Sequence, residues 1–253
     1  MIRGNYHTHT TRCKHAVGRD EEYVKRAIEA GYDVLAFTDH SPWNLFPFES
    51  GMIRMDVDEL EGYVQSVRSL QKKYKDKINI LLGLEAEYFG TRIDWLKEIK
   101  EKYEMDLIVF GNHFHEYDKM GLYYGFYSDR KNVVKDYVND AVAGMKTGLY
   151  TIFAHPDLFV SSLVDWNAKT VDEVNRLCDV ANECNVILEY NLGGLRNGGK
   201  YPYLPFWEIV ASKGCRVIIG VDAHDPNDLL DDQLYKKAET TLLELGCNLI
   251  YSV

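Results

Sequence analysis

No stretch of the chain approaches the roughly 18 uninterrupted apolar residues that a membrane-spanning helix requires, and the opening MIRGNYHTHT has no apolar signal-peptide core. The reading is a soluble, cytoplasmic protein with no membrane partner. Basic charge is scarce as well: 29 Lys and Arg stand against 39 Asp and Glu, a net charge of −10, and no polybasic run is present to follow a phosphate backbone. This argues against a nucleic-acid partner. The five cysteines, Cys13, Cys178, Cys184, Cys215 and Cys247, are odd in number, scattered and never spaced as CxxC. They support neither a disulfide framework nor a cysteine zinc site. With only six prolines and 46% hydrophobic residues, collagen-like and disordered classes are excluded too.

What is present is alternation. Short, nearly continuous apolar runs at 78–84, 106–111, 150–154, 186–191 and 216–221, joined by candidates at 3–9 and 33–38, read as parallel strands covered on both faces. Segments of helical period such as 20–31 and 170–184 fall between them, and Gly31, Gly148 and Gly214 are placed to stop helices. About seven β/α units of ordinary length fill the 253 residues, which predicts an α/β barrel in one domain over 1–253. The aperiodic stretch from Ser41 to Asp58 is the candidate lid.

Eight histidines occur, at 7, 9, 15, 40, 113, 115, 155 and 224. His9, His40, His113, His155 and His224 fall at or just past the C-terminal ends of predicted strands, where barrel enzymes build their sites. Residues two apart on a strand share a face, so His7 with His9, and Asp222 with His224, can each chelate one ion through nitrogen and oxygen. Glu85 and Glu87 share a face likewise, and a carboxylate there can bridge two cations. So many imidazoles and acids at one barrel mouth would repel one another without cations.

The series HTH (7–9), CKHA (13–16), TDH (38–40), GLE (83–85), NHF (112–114), AHP (154–156) and DAH (222–224) resembles the PHP superfamily, named for polymerase and histidinol phosphatase. The resemblance implies a single-domain distorted (β/α)7 barrel with up to three divalent metals, of zinc, iron or manganese. It implies that His7, His9, Glu85 and Asp222 hold one ion. Glu85 would bridge to a second, completed by His113 and His155, and His15, His40 and His224 would hold the third. His115 and Glu87 have no implied role. Within the superfamily, Glu189, Asn191, Gly194-Leu195-Arg196 and Tyr201-Pro202 are similar to the histidinol-phosphatase branch, although Leu192-Gly193 replaces a small polar pair usual there.

The resemblance implies a phosphomonoesterase acting on a small phosphorylated substrate, L-histidinol phosphate, by attack of a metal-bridging hydroxide. Arg196 is the expected phosphate clamp, because a guanidinium fork matches phosphate oxygens bidentately. Arg54 is a second clamp candidate. Asp39 is expected either to orient a histidine or to protonate the leaving alkoxide. Glu189 and Asn191 are expected either to read the amine of an amino alcohol or to make core hydrogen bonds. A phosphatase for a nucleotide or other small ester, and a non-catalytic metal-binding domain, are the competing readings.

Overall fold

The computed structural model describes residues 2–44, 53–115, 122–126 and 132–253. The elements run β1 (Gly4–Asn5), α1 (Asp20–Glu29), β2 (Val34–Phe37), α2 (Leu60–Tyr74), β3 (Asn79–Ala86), α3 (Ile93–Lys102), β4 (Leu107–Gly111) and α4 (Val133–Met145). They continue with β5 (Ile152–Ala154), α5 (Ala168–Glu183), β6 (Ile187–Asn191), α6 (Leu192–Arg196), α7 (Leu204–Ser212), β7 (Arg216–Gly220), α8 (Asp232–Glu244) and β8 (Asn248–Leu249). Every strand pairs in parallel with the next, in chain order. Seven β/α units therefore stand as the alternation predicts, and a short eighth strand, which periodicity could not show, follows the last helix.

The sheet curls until its two sides meet. Past the ends of the named strands, Thr8 bridges Ala223 in parallel, and His9 N donates to Ala223 O at 2.9 Å. At the opposite end β8 and its continuation lie between β7 and β1, with Ile250 N on Val217 O and Gly4 N on Tyr251 O. The mouth is thus closed by seven strands, which puts HTH beside DAH. Regular β1 is shorter than the expected 3–9. Asn5 replaces ladder bonds with its side chain, accepting from Val221 N and donating to His7 O and Thr8 Oγ1.

Two apolar clusters explain why the runs are continuous. Val34, Ala36, Leu107, Val109, Ile152, Ala154, Ile187 and Ile218 form one with Tyr6, and no helical residue belongs to it. It is the filling of the barrel. Residues of the other parity, such as Leu35, Phe37, Ile108, Phe110, Leu188 and Val217, join the larger cluster under the helices. Helix α1 shows the matching stripe, burying Tyr23, Val24 and Ala27. Gly31, Gly148 and Gly214 all lie at positive φ just past helix ends.

Of the expected lid, residues 45–52 lie outside the described residues. Its flanks are seated in the protein: Ser41, Trp43, Arg54 and Met55 are buried. Among the described residues, no helix is long and apolar enough to cross a membrane.

Candidate metal centre

Strand parity delivers the site. Leu81, Gly83, Glu85 and Glu87 follow one another on the inner face of β3 and its extension, and Ile218, Gly220 and Asp222 do so from β7. Apolar residues fill the bottom, glycines the next layer and acids the top. The glycines make room: a Cβ on Gly111 would strike Glu85 Oε1, and one on Gly220 would strike Glu189 Oε1. His155 and Asp222 hold left-handed backbone, at φ 33° and 50°, which costs non-glycine residues of order 1–3 kcal/mol and recurs at functional sites.

The expected ligands converge on one mouth. His7 Nε2 and His9 Nε2 are 2.9 Å apart; each lies 3.4 Å from Glu85 Oε2, and Asp222 Oδ1 is 3.4 and 3.3 Å from them. Four donors tetrahedral about an ion at roughly 2.0–2.1 Å would have edges of roughly 3.3–3.4 Å. Glu85 turns its other oxygen elsewhere: Oε1 is 3.3 Å from His113 Nε2 and 3.1 Å from His155 Nε2. Beyond them His15 Nε2 and His224 Nε2 approach to 2.9 Å, and His9, His40 and His224 offer donors within one ion's reach of each other. His40 Nδ1 also lies 3.0 Å from Glu85 Oε2. Glu85 Oε2 and Asp222 Oδ1 are buried acceptors with no proton donor, so the donor set fits divalent ions.

Four rings are aimed from behind. His7 Nδ1 meets Glu189 Oε2 at 2.8 Å and His113 Nδ1 meets Glu87 Oε1 at 3.1 Å, while His15 and His224 turn Nδ1 to the carbonyls of Cys13 and Asp222. Each leaves Nε2 for the cluster, the arrangement in which a carboxylate or carbonyl fixes a ligating imidazole. Burial works against charge on these rings, yet Asp222, Glu189 and Glu85 hold His7 well above the usual histidine range. Against the same burial, Glu85 and Glu87 push His113 up to about 10. Burial, aided by neighbouring rings, keeps His9 well below that range and His40 down at about 4.

Several residues fall elsewhere than expected. Arg54 is no phosphate clamp: its guanidinium is fully buried and bound to Glu87 by both Nη atoms at 3.1 and 2.9 Å, and also donates to Ser41 O. Asp39 makes no hydrogen bond to a histidine, although it lies within 4.8 Å of a His9 ring nitrogen, and does not line the cavity: both its oxygens take Thr10, through N and Oγ1 at 2.7 Å each. It fixes the residue next to His9, and burial raises its carboxyl to about 6. Glu189 and Asn191 are core hydrogen-bonding residues and not readers of an amine. Asn191 Nδ2 donates to Glu189 Oε1 and Asp222 Oδ2, and its Oδ1 caps α6 at Gly194 N. Glu87 also accepts Trp43 Nε1 at 2.8 Å. The supporting roles of Glu87 and Glu189 were missed by spacing; the signal was there, as each shares a strand face with another site residue. His115 stands apart from the cluster with Asp140 and Tyr124.

Arg196 does line the cavity of about 830 Å³ that opens over the cluster, with Tyr201, Tyr123, Phe114, Asp225 and Asp228. Its Nε lies 3.3 Å from Asp228, and one Nη donates to Val221 O.

A parallel barrel with nitrogen and oxygen donors clustered at its mouth defines an α/β barrel protein with a candidate metal site. More specifically, the chain belongs to the PHP domain family, whose model matches residues 5–193. It is 26% identical over 238 residues to a probable histidinol-phosphatase of Deinococcus radiodurans, covering 88% of this chain and 86% of that one. A probable histidinol-phosphatase of Schizosaccharomyces pombe is 27% identical over 249 residues, covering 88% and 81%. The histidinol phosphate phosphatase of Lactococcus lactis, solved with zinc, L-histidinol and phosphate, superposes with a TM-score of 0.77 at 18% identity, over 98% of this chain and 95% of that one. At that identity the likeness establishes the shared fold.

Proposed function

We propose that the protein is a metal-dependent phosphomonoesterase that converts L-histidinol phosphate to L-histidinol and phosphate. The observation that carries the reading is one cavity holding both a cluster of ion donors split by Glu85 and an arginine at its wall. The names of the two relatives at 26% and 27% identity support the substrate. Three ions are the proposed complement: one at His7, His9, Glu85 and Asp222, a second at Glu85, His113 and His155, and a third at His15, His40 and His224. Zinc, iron and manganese all suit such donors.

Divalent ions there would neutralise the phosphate dianion and lower the pKa of bound water toward about 7. The chain's part is to hold and orient. Glu85 presents one oxygen to each buried donor set, and Glu189 and Glu87 keep His7 and His113 turned inward. Arg196, anchored by Asp228 and Val221, has remaining N–H groups for phosphate oxygens.

The test is phosphate release from L-histidinol phosphate, nucleotide monophosphates and simple alkyl phosphates after loading with each metal, for wild type and Arg196→Ala. Histidinol phosphate should give the highest kcat/KM. The variant should keep its metal and lose on the order of 10²- to 10⁴-fold, the size of a lost charged clamp worth roughly 3 to 5 kcal/mol. A nucleotide preferred over histidinol phosphate would overturn the substrate, and no release from any ester would overturn the reading.

A further inference from the structure

Cleaving the phosphate ester of an alcohol leaves charge on the alcohol oxygen, which departs poorly unless a donor meets it as the P–O bond lengthens. Asp39, expected as one candidate for that task, does not line the cavity. Among the described lining residues, those that are not ion donors but carry an N–H or O–H are Arg196, Asn197, Tyr123 and Tyr201. Arg196 belongs to the phosphate in the reading above, and a side-chain amide does not give up a proton. Two phenols remain.

Tyr201 is the better placed. Its ring rests on bare backbone: a Cβ on Gly194 would lie 2.5 Å from its Cδ2 and Cε2, so glycine there seats the ring. Gly194 belongs to α6, the short helix that also carries Arg196, so guanidinium and phenol share one support. The ring centroid is 6.0 Å from that of His155. Among the described residues the Tyr201 hydroxyl has no hydrogen-bond partner, although its neighbours are well bonded. A phenol carries its proton at neutral pH and can give it to a departing alkoxide. Tyr123 instead bridges Phe114 in antiparallel pairing, its ring tilted against Phe114 and edge-on to Phe126.

We propose that Tyr201 is a catalytic residue whose O–H donates to the ester oxygen of the bound phosphomonoester as that oxygen leaves. The P–O bond breaks with its electron pair on the alcohol oxygen, which takes the phenol proton. One proton of the water whose oxygen joins phosphorus restores the phenol, so ester plus water gives alcohol plus phosphate. The inference rests on the phosphomonoesterase reading and adds to it the residue that assists the leaving group.

The experiment compares Tyr201→Phe with wild type on two esters, L-histidinol phosphate and 4-nitrophenyl phosphate, whose nitrophenolate leaves without a proton. Should histidinol phosphate not be cleaved by wild type, an alkyl phosphate that is cleaved replaces it. Phenylalanine keeps the packing on Gly194, so bound zinc and Tm should not change. kcat/KM should fall about 10²-fold on the alkyl ester and less than about 3-fold on the aryl ester. An equal fall on both esters, or none on the alkyl ester, overturns the proposal. Tyr123→Phe runs in parallel, and a selective alkyl loss there instead of at Tyr201 also overturns it. Wild type inert on every ester would remove the phosphatase reading and this inference together, a failure seen in the parent protein and not in the variant.

Discussion

Around Glu85 the cluster is buried and backed by carboxylates, whereas around His15 and His224 it is open and backed by main-chain carbonyls. His7, His9 and Glu85 are each 1% exposed, and Glu189 and Glu87 stand behind the rings of His7 and His113. His15 is exposed, the His224 side chain is 29% exposed, and their Nδ1 atoms hydrogen-bond Cys13 O and Asp222 O, with the Asp222 carboxylate no nearer to His224 than 3.5 Å. A buried carboxylate raises the basicity of the ring it faces and cannot swing away; a carbonyl at the surface orients without adding charge. The two halves should therefore differ in how tightly they hold an ion and in what breaks them.

The largest effect should come from the residue both buried donor sets share. Glu85→Gln leaves one neutral oxygen where two charged ones faced His7, His9, His113 and His155. Zinc content of the purified variant should drop and phosphatase activity should fall by about 10³-fold or more, the several kcal/mol that metal charge stabilisation supplies. Full zinc content in Glu85→Gln would mean that the halves are not organised around this carboxylate.

Next come the two backing carboxylates, which separate support of the ion from support of the fold. Either Glu189→Gln or Glu87→Gln should weaken zinc binding, measured by competition with a chelator, by about 10- to 100-fold. Glu87→Gln should in addition lower stability to urea by about 3 kcal/mol or more, because it removes the carboxylate charge that both Nη atoms of the buried Arg54 guanidinium meet. Equal stability losses in the two variants would erase that distinction. His15→Ala, in the open half, should lose its ion to the chelator first while the buried half keeps its own.

The sequence already showed much of this geometry, since a ligand motif at a strand's C-terminal end can be read from alternation alone, and seven such motifs in order leave little freedom. What it hid was depth. Glu85 and Glu87 share a face, as do Glu189 and Asn191, and spacing cannot say which carboxylate meets an ion and which meets a ring. That choice depends on Gly111 and Gly220 across the barrel, which let Glu85 and Glu189 fold inward, and on Arg54 arriving from beyond residues 45–52 to occupy Glu87. An arginine in an aperiodic stretch reads as a free clamp until its partner is seen. The strand β8 escaped because two paired residues, Asn248 and Leu249, are too few to set a period.

The smallest effect, a few degrees in Tm, tests the buried half through its protons. Without ions, His7 and His113 answer the surrounding carboxylates by carrying charge, with His113 pushed up to about 10. A histidine whose folded pKa lies above its unfolded 6.5 binds more protons folded than unfolded between the two values. Its contribution is complete below pH 6.5 and is lost as pH rises toward about 10, so the chelated protein should melt at lower temperature across that window. Zinc inverts the sign. Ion binding needs neutral rings and expels those protons, so affinity, and with it the stabilisation by a fixed zinc concentration, rises with pH over the same range. Asp39 and Asp157, both raised to about 6 by burial, titrate mostly below this window. Melting curves from pH 6.5 to 9 should diverge, downward for the chelated protein and upward for the zinc-loaded one. Glu87→Gln should flatten the downward limb, because it removes one of the two carboxylates that hold the proton on His113. Parallel curves for chelated and loaded protein would show that these rings do not exchange protons for metal, and the contrast between the buried and open halves would lose its electrostatic basis.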